Sequence, residues 1–352
     1  MRNWLVIICL VLLMAIGLTT LHSLAPELVS RQVLFWVLGF AIFFASASLP
    51  FNQWLKLGKI SLIGLITLLV VVLFVAETRE TARWFHIFGF SFQPSQLALP
   101  VLSIYTASIL TKSHLKYFDK LWSYLAIIAI PLFLIFIEPD LGTVIITLAT
   151  LGFSLIICGL QTKILIKFFW TGCILLGIGW LFLLQPYQKA RLTSFMSPET
   201  QVTDANYNAK QALISVGAGG LIGRGAGLGS QSQLKFLPEK HTDFIFAALA
   251  EETGLVGTAL VLIIYLTIIF FLLSRSQTQP LPTKFTLVSV AVWITLQTSV
   301  NVGMNMGLLP ITGLTLPFIS YGGSSLLSSL WWLGIAKSAS AWGDNKSELH
   351  LS

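Results

Sequence analysis

Ten apolar runs, most of about seventeen residues or more, recur along this 352-residue chain and set what it can fold into. A helix rises about 1.5 Å per residue, so runs of this length cross a hydrocarbon core of about 30 Å. In lipid every backbone polar group must find its partner inside the protein. Leu/Ile/Phe-rich runs without period-two alternation do this as helices rather than as a barrel. The runs fall near 4–21, 33–49, 60–76, 94–111, 121–137, 141–159, 164–184, 253–273, 285–309 and 311–338. Charged residues make up 10% of the chain, against about a quarter in a soluble domain. The prediction is an all-α polytopic integral membrane protein of about ten transmembrane helices, one domain over 1–352. The first run follows Arg2 as a signal peptide would, but nine further spans follow and no clear small-x-small cleavage site stands near 22–26, so it is kept as a span. Cys9, Cys158 and Cys173 all lie in apolar runs, so no disulfide framework is expected.

Basic residues divide unevenly between the short loops. One set holds Arg2, Lys56, Lys59, Lys112, Lys116, Lys120, Lys163, Lys167, Arg275, Lys284, Lys337 and Lys346; the opposite set holds Arg31, Arg79 and Arg83. The positive-inside rule places both termini in the cytoplasm, which an even number of spans requires. The long polar stretch at 185–243, between spans seven and eight, is then extracytoplasmic. It carries Lys189, Arg191, Lys210, Arg224, Lys235 and Lys240. Long loops are weak topology signals, and these six cations suggest an anionic partner on the outer face. Nothing in the chain points to nucleic acid.

The long loop also holds seven glycines between Gly217 and Gly229. Their spacing does not match the dinucleotide fingerprint, and no phosphate-binding Gly-Lys-Ser/Thr loop exists. Either their amides approach a diphosphate, or the glycines permit tight turns against the bundle. The loop ends in FLPEKHTDF at 236–244. Asp243 stands where polar chain re-enters an apolar segment; partial desolvation there makes a carboxylate a better base, and a helix N-cap is the competing role. His241 with Asp243 lacks the companions of a metal site. Glu138 and Asp140 form a very short outward loop that binds a sugar or cation, or caps the next helix. Gln297, Asn301 and Asn305 recur every four residues on one helix face, the pattern of hydrogen bonding to neighbouring helices. Residues 308–319 and 244–250 are apolar but too short to span, and read as broken or re-entrant pieces around an outward cleft.

Several strings together resemble one family. They are Arg191…Phe195-Met196-Ser197-Pro198, Tyr207…Gln211, the glycine cluster, FLPEKHTDFIFA…EETG, Arg83-Trp84 with QPS at 93–95, EPDLGT at 138–143 and LLPITGLTLPFISYGGSS at 308–325. They resemble the SEDS proteins (shape, elongation, division and sporulation) over nearly the whole chain. GSQSQLKFLPE and the short tails are more similar to the RodA branch than to FtsW. The resemblance implies a peptidoglycan glycosyltransferase of the bacterial cytoplasmic membrane that polymerises lipid II on its outer face for elongation and cell shape. It implies a class B penicillin-binding protein as transpeptidase partner, alongside other elongation proteins. The family's essential Asp falls on Asp243, and its important Trp on Trp84. Arg83, Trp84, Lys189, Arg191, Lys210, Lys240, Glu138 and Asp140 are the expected substrate contacts. No cofactor and no metal ligands are implied, and a divalent cation is left open. The family's QPS motif usually continues Glu-x-x-Lys, whereas here Gln96 and Leu99 occupy those positions; losing both partners of an ion pair is tolerable where losing one is not. Two other readings are a lipid II flippase and a non-catalytic scaffold for the transpeptidase.

The charge asymmetry predicts that a cysteine placed at 204 reacts with an impermeant maleimide added outside cells, while one at 116 does not. The reverse pattern would invert the topology.

Overall fold

The computed structural model describes residues 3–75, 83–87, 90–111, 121–159, 204–229 and 240–349, with single positions 166, 170, 172, 177, 195 and 231 between them. The expected span at 164–184 apart from positions 166, 170, 172 and 177, Cys173, the basic 112–120 loop, Arg79, Lys189, Arg191 and Lys235 lie outside the described residues. Ten helices are described: α1 (Asn3–Leu24), α2 (Pro26–Ser48), α3 (Phe51–Val75), α4 (Ala98–Leu110), α5 (Leu121–Ile137), α6 (Leu141–Ile157), α7 (Asp204–Gly219), α8 (Ile245–Ser276), α9 (Leu281–Asn305) and α10 (Gly323–Leu349). A two-stranded hairpin, β1 (Phe85–Ile87) and β2 (Phe90–Phe92), precedes a 3-10 turn at Pro94–Leu97. Five helices (α1, α2, α3, α8 and α9) are long and apolar enough to cross a membrane, and α4, α5 and α6 are shorter apolar helices. This is the polytopic all-α architecture expected.

Helix ends depart from the hydropathy spans for physical reasons. α2 starts at Pro26, because proline suits the first helical turn and Glu27 complements the helix dipole there. α3 starts at Phe51 and takes in Lys56 and Lys59, since a helix continues past the apolar core as long as one face stays covered. Phe51, Leu55 and Gly58 form that buried face, and a Cβ on Gly58 would lie 3.0 Å from the Ser108 hydroxyl. The tenth span was expected from 311. Residues 306–322 are instead non-helical and α10 begins at Gly323.

Two compact units divide the chain. The first comprises Met1–Trp36, Leu184–Ile269 and Ile294–Gly322; the second comprises Val37–Leu183, Phe270–Trp293 and Gly323–Ser352.

Within the first unit the non-helical 306–322 segment is held by buried polar side chains. Gln297 Nε2 donates to the Thr315 carbonyl at 2.9 Å and Asn301 Nδ2 to that of Leu314 at 2.7 Å. The Tyr265 hydroxyl donates to the Pro317 carbonyl, and Gln32 Nε2 to that of Ser320 at 3.3 Å. The amide stripe of α9 therefore does hydrogen-bond, both to broken backbone and, through Asn305, to the first turn of α8. Such satisfaction is what allows irregular chain at membrane depth.

The same accounting explains the glycine cluster. α8 breaks at Gly254 (φ 66°, ψ −162°). The amides of Leu255 and Val256 thereby lose the carbonyls of Glu251 and Glu252 four residues back. The loop after α7 replaces both bonds on both sides. Leu255 N donates to the Gly220 carbonyl at 2.9 Å and Val256 N to that of Leu221 at 3.1 Å; Arg224 N reaches the Glu251 carbonyl at 2.9 Å and Gly225 N that of Glu252 at 3.0 Å. The carboxylates fasten the loop further. Glu252 accepts from Gly227 N at 3.1 Å and from the Ser23 hydroxyl, and Glu251 accepts from Gln231 N at 2.9 Å. With Gly223 N bound to the Gly219 carbonyl, these amides are committed internally, and a diphosphate cradle is not their role.

Gly254→Ala should therefore be costly. Its backbone lies where only glycine is at ease, and a Cβ would overlap the Leu221 carbonyl and the Gly223 amide nitrogen. A loss of about 1–3 kcal/mol from strain alone is expected, read as a lower Tm of the detergent-solubilised protein. Gly64→Ala, in mid-helix where a Cβ meets nothing within 4 Å, should not lower Tm.

Candidate active site

The turn Lys240–Phe244 sits in the first unit, directly before α8. Ile245 opens the helix, so Phe244 occupies the capping position and Asp243 stands one residue outside it. His241, Thr242 and Asp243 are half-buried, and Phe244 to Ala250 are buried throughout.

Three consecutive carbonyls of this turn are held from other elements. The His241 carbonyl accepts from Tyr321 N at 2.9 Å, and the Thr242 carbonyl from the Ser320 hydroxyl at 2.7 Å. The Asp243 carbonyl accepts from Asn301 Nδ2 at 3.0 Å and Asn305 Nδ2 at 3.2 Å. Asn305 Oδ1 in turn accepts from Ala247 N at 3.3 Å, tying the first turn of α8 to the same residue. Ser320 Oγ also accepts from Leu316 N at 2.8 Å, and the His241 and Tyr321 rings meet edge-on at 5.8 Å. A carboxylate that must meet a sugar hydroxyl in one geometry needs a fixed main chain beneath it. Lys210 is exposed on α7, and Lys240 is half-buried beside the turn.

The second unit gathers Arg83, Glu138 and Asp140. Asp140 caps α6: its Oδ1 accepts from Thr143 N at 3.1 Å. Its Oδ2 accepts from the Thr143 hydroxyl at 2.9 Å, Gln93 Nε2 at 2.9 Å and the Ser95 hydroxyl at 3.2 Å. Of the two readings held for Asp140, the structure thus displays capping, and it adds a clamp on the QPS turn. Glu138 is fully buried, and neither of its oxygens has a hydrogen-bond partner among the described residues. Burial and the neighbouring Asp140 push its carboxyl up to about 8, with Arg83 opposing. Arg83 is half-buried and Trp84 is exposed at the start of the hairpin. Among the described residues no three of His, Cys, Asp and Glu group as metal ligands.

Sequence reasoning passed over the clamps themselves. Ser320, Ser324 and Ser328 act through their hydroxyls: Ser324 Oγ accepts from Gln93 N at 2.9 Å, and Ser328 Oγ donates to the Gln96 carbonyl at 2.6 Å. The serine density of 320–329 in an otherwise apolar stretch was the available signal.

Gln96 and Leu99 show what replaces the usual ion pair. Gln96 Nε2 donates to Gln93 Oε1 at 3.4 Å, so an amide relay runs from Gln96 through Gln93 to Asp140. Leu99 is buried, 7% exposed. Leu99→Lys should bury an uncompensated ammonium and cut the yield of folded protein several-fold in size-exclusion profiles; adding Gln96→Glu should recover much of it. A harmless single change would mean that position 99 meets water.

Comparison with known proteins follows the same lines. A family model described as "Cell cycle protein", covering FtsW, RodA and SpoVE, matches residues 3–343. A probable peptidoglycan glycosyltransferase FtsW of Wigglesworthia glossinidia brevipalpis is 36% identical over 88% of this chain and 82% of its own length. One from Coxiella burnetii is 32% identical over 94% of each. Among solved structures, a chain of a peptidoglycan synthase complex that coordinates polymerization and crosslinking superposes with a TM-score of 0.80 at 27% identity, covering 96% of this chain and 97% of that one. The rod shape determining protein RodA of Thermus thermophilus gives 0.71 at 26% identity, covering 97% of each. With the family's strings, its helical architecture and its fold present over nearly the whole length, this chain belongs to the FtsW/RodA/SpoVE (SEDS) family of multi-pass cytoplasmic-membrane proteins.

Proposed function

We propose that the chain is an inverting peptidoglycan glycosyltransferase that polymerises lipid II at the outer face of the membrane. The observation that carries the reading is the Asp243 turn, with three successive carbonyls pinned by Tyr321, Ser320 and the Asn301–Asn305 pair. The Asp243 carboxylate takes the proton of the 4-hydroxyl on an acceptor N-acetylglucosamine. The oxygen attacks C1 of a donor N-acetylmuramic acid from the face opposite the leaving group, the C1–O bond breaks, and undecaprenyl diphosphate departs with the electron pair. No covalent enzyme intermediate is needed. Negative charge grows on the diphosphate, and the loop cations Lys210 and Lys240 supply the compensating field. Arg83 and Trp84 are assigned to contacts with the lipid-linked sugars, on the family resemblance. The relatives' names and the synthase-complex likeness support the polymerase reading and a class B penicillin-binding protein as partner.

The elongation role rests on GSQSQLKFLPE and the short tails, against relatives that carry the division name FtsW. Depletion distinguishes them: rounded cells accord with elongation, filaments with division. A flippase would carry ionisable groups deep in several spans. Lys56 and Lys59 lie in the first third of α3 and Lys284 in the first turn of α9.

Asp243→Asn tests the base. Asn keeps the size and hydrogen-bonding reach of Asp but takes no proton near neutral pH. A general base contributes about 10²–10⁴-fold, so glycan-strand synthesis by purified protein with its partner should fall by that order while expression and lipid II binding persist. A capping residue would tolerate Asn almost silently. Near-normal strand formation by the variant rejects the base assignment.

A further inference from the structure

We propose that the tip of the glycine loop is a lipid-contact surface. Leu221, Ile222 and Leu228 enter the acyl region of the leaflet on the loop's side of the membrane, next to Leu255, Val256 and Leu260 of α8. The loop side chains are 70%, 83% and 72% exposed, and those of the helix 59%, 65% and 51%. An aqueous loop has no reason to present this much large apolar surface beside an apolar helix face.

Three observations fix the occupant as lipid. The patch continues the exposed face of α8, where Ile263 and Leu266 follow at helical spacing, 57% and 62% exposed. The loop tip is registered on that face by the Leu255–Gly220 and Val256–Leu221 backbone bonds, so the two surfaces form one. Residues 255–273 are nineteen charge-free positions. As helix they span about 28 Å, the thickness of a hydrocarbon core, so the Gly254 break lies at its boundary and the loop tip at the same level. Arg224, exposed two residues beyond Ile222, falls among the phosphates of lipid headgroups. The lipid contact itself does not depend on the reaction assigned to Asp243.

The test uses the full chain, with its three native cysteines replaced by alanine, in phosphatidylethanolamine–phosphatidylglycerol vesicles. Spin labels are placed singly at Ile222→Cys and Leu228→Cys, with Leu266→Cys as the lipid-facing reference and Lys210→Cys as the exposed polar reference. Relaxation by oxygen relative to a water-soluble nickel chelate should lie several-fold above the Lys210 site at both loop positions, and below the Leu266 site, which is deeper in the acyl region. Nickel-dominated relaxation at 222 would put the tip in water and overturn the proposal. Protection from both agents would also overturn it, because another protein surface, a second copy included, would then cover the patch. The Leu266 label, read in the same background, reports that the fold is intact.

Discussion

A broken helix inside a membrane protein leaves amides and carbonyls that water cannot reach, and the first unit of this protein is organised around answering that demand. At Gly254 two helical bonds are lost, and four loop-to-helix bonds take their place. Along 306–322 no helix forms, and Gln32, Tyr265, Gln297 and Asn301 reach carbonyls that would otherwise stand alone. A buried backbone group left without a partner costs on the order of several kcal/mol, so the buried polar residues here follow from the backbone they serve.

The Asp243 turn inherits its rigidity from the same network. Asn301 donates both to Leu314 in the broken segment and to Asp243 in the turn, and Ser320 bridges Leu316 and Thr242. Residues that stabilise irregular backbone thus also fix the main chain beneath the proposed base. Preorganisation of this sort removes reorganisation from the chemical step, which is where a general base gains its advantage.

In the second unit the polar cluster is asymmetric. Asp140 receives bonds from Gln93, Ser95 and Thr143 and holds the QPS turn against the start of α6. Glu138, two residues earlier, is buried without such donors among the described residues, and burial together with the nearby Asp140 raises its carboxyl. The amide relay from Gln96 to Asp140 keeps this turn connected in the absence of the family's ion pair, and a neutral chain of amides avoids burying two charges.

Hydropathy determined the membrane class, and the helical character of the spans followed from the need to satisfy backbone within each one. The junction at Asp243 and the FLPEKHTDF string were legible because charge is rare and local in this chain. Apolar runs do not mark helix ends: α3 extends through Lys56 and Lys59, and α10 waits until Gly323, since one-sided burial and backbone partners decide those boundaries. The glycine cluster offered two roles in sequence, and only its pairing with Gly254, some thirty residues on, selected one. The α9 amides likewise announced hydrogen bonding but not its targets, and Asp140 announced capping but not its hold on Gln93 and Ser95. Sequence patterns record which face of an element is polar. Which distant carbonyl that face meets is settled only when the chain is packed.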